Sequence, residues 1–410
     1  MLALGLELQR RGHDPVLATA EYYREKIAAT GLPFHALRPN LTPADKELLR
    51  QTMDGRHGPE FLVRQVMMPA VRDTFDDLTA GVRGADLLVG TDLLYAAPVV
   101  AEVTGLPWVA LTMAPMTFFS RHDPPALPPA PWLRPMAHVA PWAYAALLRF
   151  GQWSTRQWGA PIYELRARLG LPRGLEPLFA ARAKADALLG MFSPLVGCPQ
   201  PDWPANARTT GFAFYDHHEP MPASLQAFLD AGAAPVVFTL GSAAVFDPGG
   251  FYRESADAAR RLGRRAVLLV GPDPEDLPKP ASDLAVAAYA PFSELFPRAA
   301  AVVHQGGIGT TGQCLRAGRP MLIVPYSHDQ PDNAWRMVRL GVARTLSRRK
   351  YSGATAAGSL RALIDDAGYA ARAAAAAQSV GHENGAGAAA DIIEEVLTRR
   401  SRESLAPDGN

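Results

Sequence analysis

Leu2, Leu4, Leu6 and Leu8 open the chain at i, i+4 spacing, and Gly12 follows them. That pattern predicts an amphipathic helix over 1–11 that stops at the glycine. Short apolar runs then alternate with longer mixed segments. DPVLAT (14–19), FHAL (34–37), ADLLVG (85–90), PWVALT (107–112) and ADALLGMFS (185–193) read as strands. Helices are predicted at about 21–30, through 42–82 with breaks near Gly55 to Pro59, and over 93–105 in spite of Pro98. After 223 the rhythm is clearer. PVVFTL (235–240), RAVLLV (265–270), LAVAAY (284–289), AAVVHQ (300–305) and MLIVP (321–325) are strands, with ARTL (343–346) as a further one. Helices are predicted over 355–380 and 390–400, and the polar tail 401–410 reads as frayed. Near-continuous apolar strands separated by helices predict parallel α/β units.

Two stretches interrupt the alternation. Residues 113–160 hold eight prolines and four of the seven tryptophans: Trp132, Trp142, Trp153 and Trp158. Those rings fit either plain core or the wall of a pocket for a lipophilic ligand. Residues 194–222, rich in proline, glycine and polar residues, read as a connector. The chain therefore divides into a first α/β domain over 1–215, a second over 223–380, and a carboxyl-terminal helix and tail over 381–410. No short internal repeat is present, but each half fits a doubly wound sheet.

Composition narrows the function. Forty-one Lys and Arg against 40 Asp and Glu leave a formal charge of +1. No global basic field exists to hold nucleic acid or an anionic membrane. Two cysteines, Cys198 and Cys314, cannot make a disulfide framework or a thiolate zinc site, and they fit a reducing cytosol. No run is long and apolar enough to predict a spanning helix. The first residues do not read as a secretory signal, because Arg10 and Arg11 follow the apolar part instead of preceding it.

The most informative stretch is VVHQGGIGTTGQCLRAGRPMLIVPYSHDQPDNA (302–334): strand, glycine turn, helix, strand, polar loop. Gly306, Gly307 and Gly309 let backbone approach a ligand closely. Thr310 and Thr311 would open the helix with hydroxyls and N–H groups facing outward, where free donors and a partial positive charge favour phosphate. His304 falls at the carboxyl end of a strand, where open α/β sheets bind ligands. It could donate to a phosphate oxygen without carrying a permanent charge. Gly307, Gly309 and Gly312 also satisfy G-x-G-x-x-G, with Asp329 about 20 residues on, which is the pattern of an NAD-dependent oxidoreductase. Against that reading, several βα units precede the glycines, and Asp329 lies in a loop beyond the next strand.

H-x-G-G-x-G-T-T, then A-G-x-P, then P-x-x-x-D-Q-P-D-N-A, resembles the donor-binding signature of the UDP-glycosyltransferase family, in its bacterial branch of macrolide, sterol and rhamnolipid enzymes. The resemblance is strong over 235–346, moderate over 1–20 and 85–120, and weak between 120 and 230. It implies the GT-B fold, two Rossmann-like domains facing across a cleft. It implies an inverting, metal- and cofactor-independent transfer of a hexose from a UDP- or dTDP-sugar to a small lipophilic acceptor. By resemblance, His304 and the turn Gly306 to Thr311 hold the diphosphate, and Asp329 and Gln330 bond the sugar hydroxyls. Gly241 and Ser242, after Thr239 and Leu240, also meet the phosphates. Tyr289 and Ala290, with Pro291, lie along the base. In the first half, Asp92 falls where the family has the carboxylate orienting the catalytic histidine, and Thr112 falls where a hydroxyl approaches the sugar. Asp92 could also cap a helix starting at 93.

The resemblance departs at the amino terminus. The family's base histidine follows a first strand and precedes the helix matched here by residues 1–11. Numbering starts inside that helix, so the strand and the histidine loop fall outside residues 1–410. Loss of a central strand would leave two open strand edges and less cover for the leucines at 2, 4, 6 and 8. A chain of these residues alone is therefore expected to be poorly stable and nearly inactive as a transferase. The rival reading from another class is a catalytically inactive nucleotide-sugar-binding or auxiliary protein. Of the other histidines, His13, His35, His122, His138, His217 and His218 read as structural or solvated, as does His328 within the Asp329 loop. Cys314 reads as a buried small residue and Arg348 to Lys350 as a solvated loop.

Overall fold

The computed structural model describes residues 1–216, 220–241, 244–272 and 277–405. His217, His218 and Ser242 lie outside the described residues.

The second half is built on six parallel strands. Across the sheet they run Ala343–Thr345, Met321–Ile323, Ala301–His304, Val236–Thr239, Ala266–Leu269 and Leu284–Ala287. Side chains alternate between its faces, as the pleat requires. Val237, Val267, Leu269, Val302, Met321 and Ile323 pack into one core. Val236, Phe238, Ala266, Leu268, Ala301, Val303 and Leu322 pack into the other. Both faces are covered, so the strands are apolar throughout, which is why the sequence shows runs and no alternation.

The first half carries four parallel strands in the order Leu88–Thr91, Trp108–Thr112, Ala187–Gly190 and Ala207–Thr209. A separate parallel pair, Leu17–Thr19 with Phe34–Ala36, stands apart from that sheet. Among the described residues, Leu17–Thr19 and Leu88–Thr91 therefore each end a sheet. Of the four amino-terminal leucines, only Leu4 is fully buried, against Val109, Leu111, Leu189 and Ile393.

The structure corrects four expectations. The helix predicted over 93–105 spans Ala97–Thr104. Pro98 sits in its first turn, where a missing N–H costs nothing, and so sets the start. Asp92 therefore caps no helix. The connector 194–222 contains a strand, Ala207–Thr209, too short for its pattern to stand out among prolines. The final helix spans Gly385–Leu405, so half of the tail expected to fray is helical. It crosses back onto the first half, where Ile392, Ile393 and Val396 join the Leu4 core. Arg11 bonds Asp391 at 2.6 Å and Glu394 at 2.9 Å.

Candidate functional site

Strand Val236–Thr239 leads to its neighbour on one side, while Ala301–His304 lies on its other side and leads away in the opposite direction. The connections part there, leaving a crevice at the carboxyl ends of these two central strands. The two glycine turns open onto that point.

His304 is the last residue of its strand and is fully buried. The Gly306 N–H donates to its Nδ1 at 3.0 Å. An Nδ1 that accepts places the ring proton on Nε2 in the neutral tautomer. That Nε2 has no partner. Burial pushes the imidazole pKa down to about 3, so His304 is an uncharged donor throughout the physiological range. A buried donor without a partner is costly, and a phosphate oxygen would satisfy it.

Gly306 has φ +92°, and a Cβ there would meet Ile323 Cγ2 at 2.8 Å and the Gln330 carbonyl at 3.1 Å. The sharp turn needs glycine on both counts. Gly307 then caps helix Ile308–Ala317, and Gly309 in its first turn is exposed with open space where a Cβ would go. Bare backbone N–H groups are thus presented at an accessible helix start. Thr310 and Thr311 correct an expectation: both are buried, and the Thr311 hydroxyl turns back to donate to the Gly307 carbonyl at 3.0 Å. Gly312 lies against the Phe212 ring, 2.9 Å from where its Cβ would stand. The third glycine of the pattern therefore serves helix packing.

Gly241, at φ +64°, faces the turn across the crevice, and its N–H donates to Thr239 Oγ1 at 3.3 Å. The buried amide of Gln305 lies between the two turns. A Cβ on Gly241 would stand 2.2 Å from its Nε2, and one on Gly307 2.8 Å. Gln305 was missed in the sequence because it reads as a spacer between His304 and the glycines. Tyr289 is partly exposed and Ala290 is buried, just before helix Phe292–Leu295.

Asp329 stands at the start of helix Gln330–Arg339 and accepts from Asn333 Nδ2 at 2.7 Å. Loss of water around it within the protein pushes its carboxyl up to about 6. Gln330 Oε1 accepts from the N–H groups of Tyr326 (2.8 Å) and Ser327 (3.2 Å). Its oxygen is therefore committed to shaping the loop. His328 in that loop has φ +56°, a left-handed conformation seldom taken by a residue with a side chain and characteristic of functional loops.

Asp92 and Thr112, 20 residues apart, meet at the ends of adjacent strands. Thr112 donates to Asp92 Oδ2 at 2.7 Å and lies 2.5 Å from the Thr117 hydroxyl. It is fully buried, and its hydroxyl is engaged by Asp92 and Thr117. The other Asp92 oxygen takes the Arg182 guanidinium, which also reaches the Thr117 carbonyl. None of these partners is an imidazole. Arg182 carries no local signal in the sequence.

Of the four tryptophans, Trp132, Trp142 and Trp153 are exposed and so are not core, while Trp158 is half-buried.

Residues 270–395 match the family profile described as the erythromycin biosynthesis protein CIII-like carboxyl-terminal domain. Along 98% of its length the chain is 32% identical to O-mycaminosyltylonolide 6-deoxyallosyltransferase of Streptomyces fradiae, covering 94% of that enzyme. It is 29% identical to vancomycin aglycone glucosyltransferase of Amycolatopsis orientalis, over 83% of this chain and 81% of that one. The fold superposes on spinosyn rhamnosyltransferase SpnG in complex with thymidine diphosphate, with TM-score 0.64, 18% identity, and 96% and 95% of the two chains covered. The dinucleotide alternative has no support. Its fingerprint falls on the fourth strand in chain order of this sheet, and these relatives are glycosyltransferases. A 32% identity sustained from end to end, on two parallel-sheet domains with the donor signature at the strand ends, makes the chain a member of the bacterial natural-product UDP-glycosyltransferase family and a GT-B glycosyltransferase.

Proposed function

We propose that the chain transfers a hexose from a UDP- or dTDP-sugar, bound at the crevice between the two glycine turns, to a hydroxyl of a small lipophilic acceptor, with inversion at the anomeric carbon. The observation that carries this reading is the unpartnered Nε2–H of His304 beside an exposed helix start. Neutral donors and a helix dipole suit a diphosphate that gains charge as it leaves. Asp329 and the Gln330 amide nitrogen, in the adjoining turn, would bond the sugar hydroxyls. Asp92 is an anchor for a general base, since a carboxylate fixes an imidazole's tautomer and stabilises its cation. The relatives support the substrate classes: one acts on a tylonolide, another on the vancomycin aglycone. A structural neighbour is known both with thymidine diphosphate and with spinosyn aglycone.

The test is incubation with UDP- and dTDP-hexoses and a set of macrolide aglycones. Release of nucleoside diphosphate coupled to acceptor gaining one hexose, of inverted anomeric configuration, supports the proposal. Retained configuration in any product, or binding of neither a UDP- nor a dTDP-hexose, refutes it.

A further inference from the structure

Helix Pro141–Ser154 turns Tyr144 and Leu148 inward, onto a small core with Ala137, Leu133 and Met136. Tyr144 donates to the Pro125 carbonyl at 2.6 Å, and the Arg134 guanidinium lies 3.7 Å from the centre of the Trp335 ring. This small unit is thus held in place from beneath. Its outer face is unlike an ordinary solvent face. Trp142, Phe150 and Trp153 recur there at helical spacing, 78%, 61% and 60% exposed. Just before them, Trp132 is 65% exposed and Val139 87%. An exposed aromatic stripe on a globular chain marks an interaction surface.

The charges select the partner. From 124 to 163 the sequence contains no Asp or Glu, against Arg134, Arg149 and Arg156. Arg149 and Arg156 are exposed, and Arg149 falls within the aromatic stripe. A second copy paired about a two-fold axis would bring these arginines together with no carboxylate in the segment to neutralise them. An anionic lipid surface answers both features at once. Indole rings settle at the headgroup level, and arginines between them meet phosphate. No helix among the described residues is long and apolar enough to cross a membrane, so the contact is peripheral. We propose that the face carrying Trp132, Trp142, Phe150 and Trp153 docks reversibly on an anionic bilayer surface. The chain's overall charge of +1 conceals this patch.

The experiment floats the full chain with vesicles of phosphatidylcholine, with and without phosphatidylglycerol, while following tryptophan emission. Flotation with the anionic vesicles, a blue shift, and reversal by salt are expected. The W142S/F150S/W153S variant should lose flotation, and R149Q/R156Q should lose roughly tenfold or more of the preference for anionic vesicles. Both variants change exposed residues, and unchanged melting curves would show that they fold. No flotation by the parent chain, undiminished flotation of the triple variant, or a dimer in sedimentation that the triple variant dissociates would overturn the proposal.

Discussion

The side-chain amide of Asn333 donates to the Gly306 carbonyl at 2.9 Å and to Asp329 Oδ2 at 2.7 Å. One buried residue thereby ties the glycine turn after His304 to the helix start that presents Asp329 and Gln330. The candidate phosphate and sugar contacts form a single rigid piece. Asn333→Ala leaves a buried carbonyl and a crowded carboxylate without their donor, a loss of about 1–3 kcal/mol. Thermal melting should record it, and affinity for a sugar nucleotide should fall further than affinity for the bare nucleotide. Unchanged affinity for both would show that Asn333 serves stability alone.

Gly309 separates folding from binding. Its Cβ position is open space, and alanine is the better helix former by about 0.5–1 kcal/mol. Gly309→Ala should melt no lower than the parent chain. If the helix start receives a diphosphate, the added methyl stands in the ligand's path, and nucleotide affinity should drop. Unaltered binding by calorimetry would move the phosphate elsewhere.

Asp329 makes a pH-dependent prediction. Its folded pKa of about 6 lies above its ordinary 3.8, so between those values the folded chain holds more protons than the unfolded one. Stability therefore falls as pH rises from about 4 to 6, and the loss persists above that range. Asp329→Asn removes a penalty on the order of 1–3 kcal/mol. Its melting temperature should gain on the parent chain between about pH 4.5 and 7.5 while sugar-nucleotide binding weakens. Parallel melting profiles across that range would contradict the assignment.

The two halves are joined by a buried charge cluster. Arg336, 1% exposed, donates to Asp332 at 2.7 Å, to Asp123 and to the Val196 carbonyl. Arg339 reaches Asp123 at 3.0 Å, and Asp332 accepts the Ala126 N–H at 2.8 Å. Burial opposes ionisation of Asp123, but the arginine charges outweigh it and hold the carboxyl below its usual value. Asp123→Ala strands part of a buried guanidinium and should cost about 3 kcal/mol. Arg339→Ala, at the exposed edge, should cost under about 1 kcal/mol. Equal costs in denaturant unfolding would refute the network's role.

The second half was legible because fully buried parallel strands write themselves as apolar runs, and because the turn from His304 to Thr311 combines strand end, glycines and helix start in eight residues. Asp92 and Thr112 are marked in the sequence only by the family resemblance, and the structure joins them at adjacent strand ends. Arg182, Gln305 and Asn333 were missed, because their roles depend on contacts between segments and no local pattern marks them. Pro98 was read as a tolerated interior residue when it is the helix start. The tryptophans of 132–153 were weighed as core or pocket, and periodicity alone could not show that Trp142 and Trp153 face outward while Tyr144 and Leu148 face in.

The most direct test is calorimetric titration of the parent chain, His304→Ala and His304→Phe with UDP and with dTDP. The Phe variant keeps the buried volume; like the Ala variant it removes the Nε2–H donor together with the Nδ1 acceptor of the Gly306 N–H. The parent chain should bind at least one nucleotide. Both variants should bind it about tenfold or more weakly, the worth of a hydrogen bond to a charged group, while their melting curves show a folded chain. Binding of neither nucleotide by the parent chain, or affinity unchanged in both variants, would contradict the placement of the donor at His304.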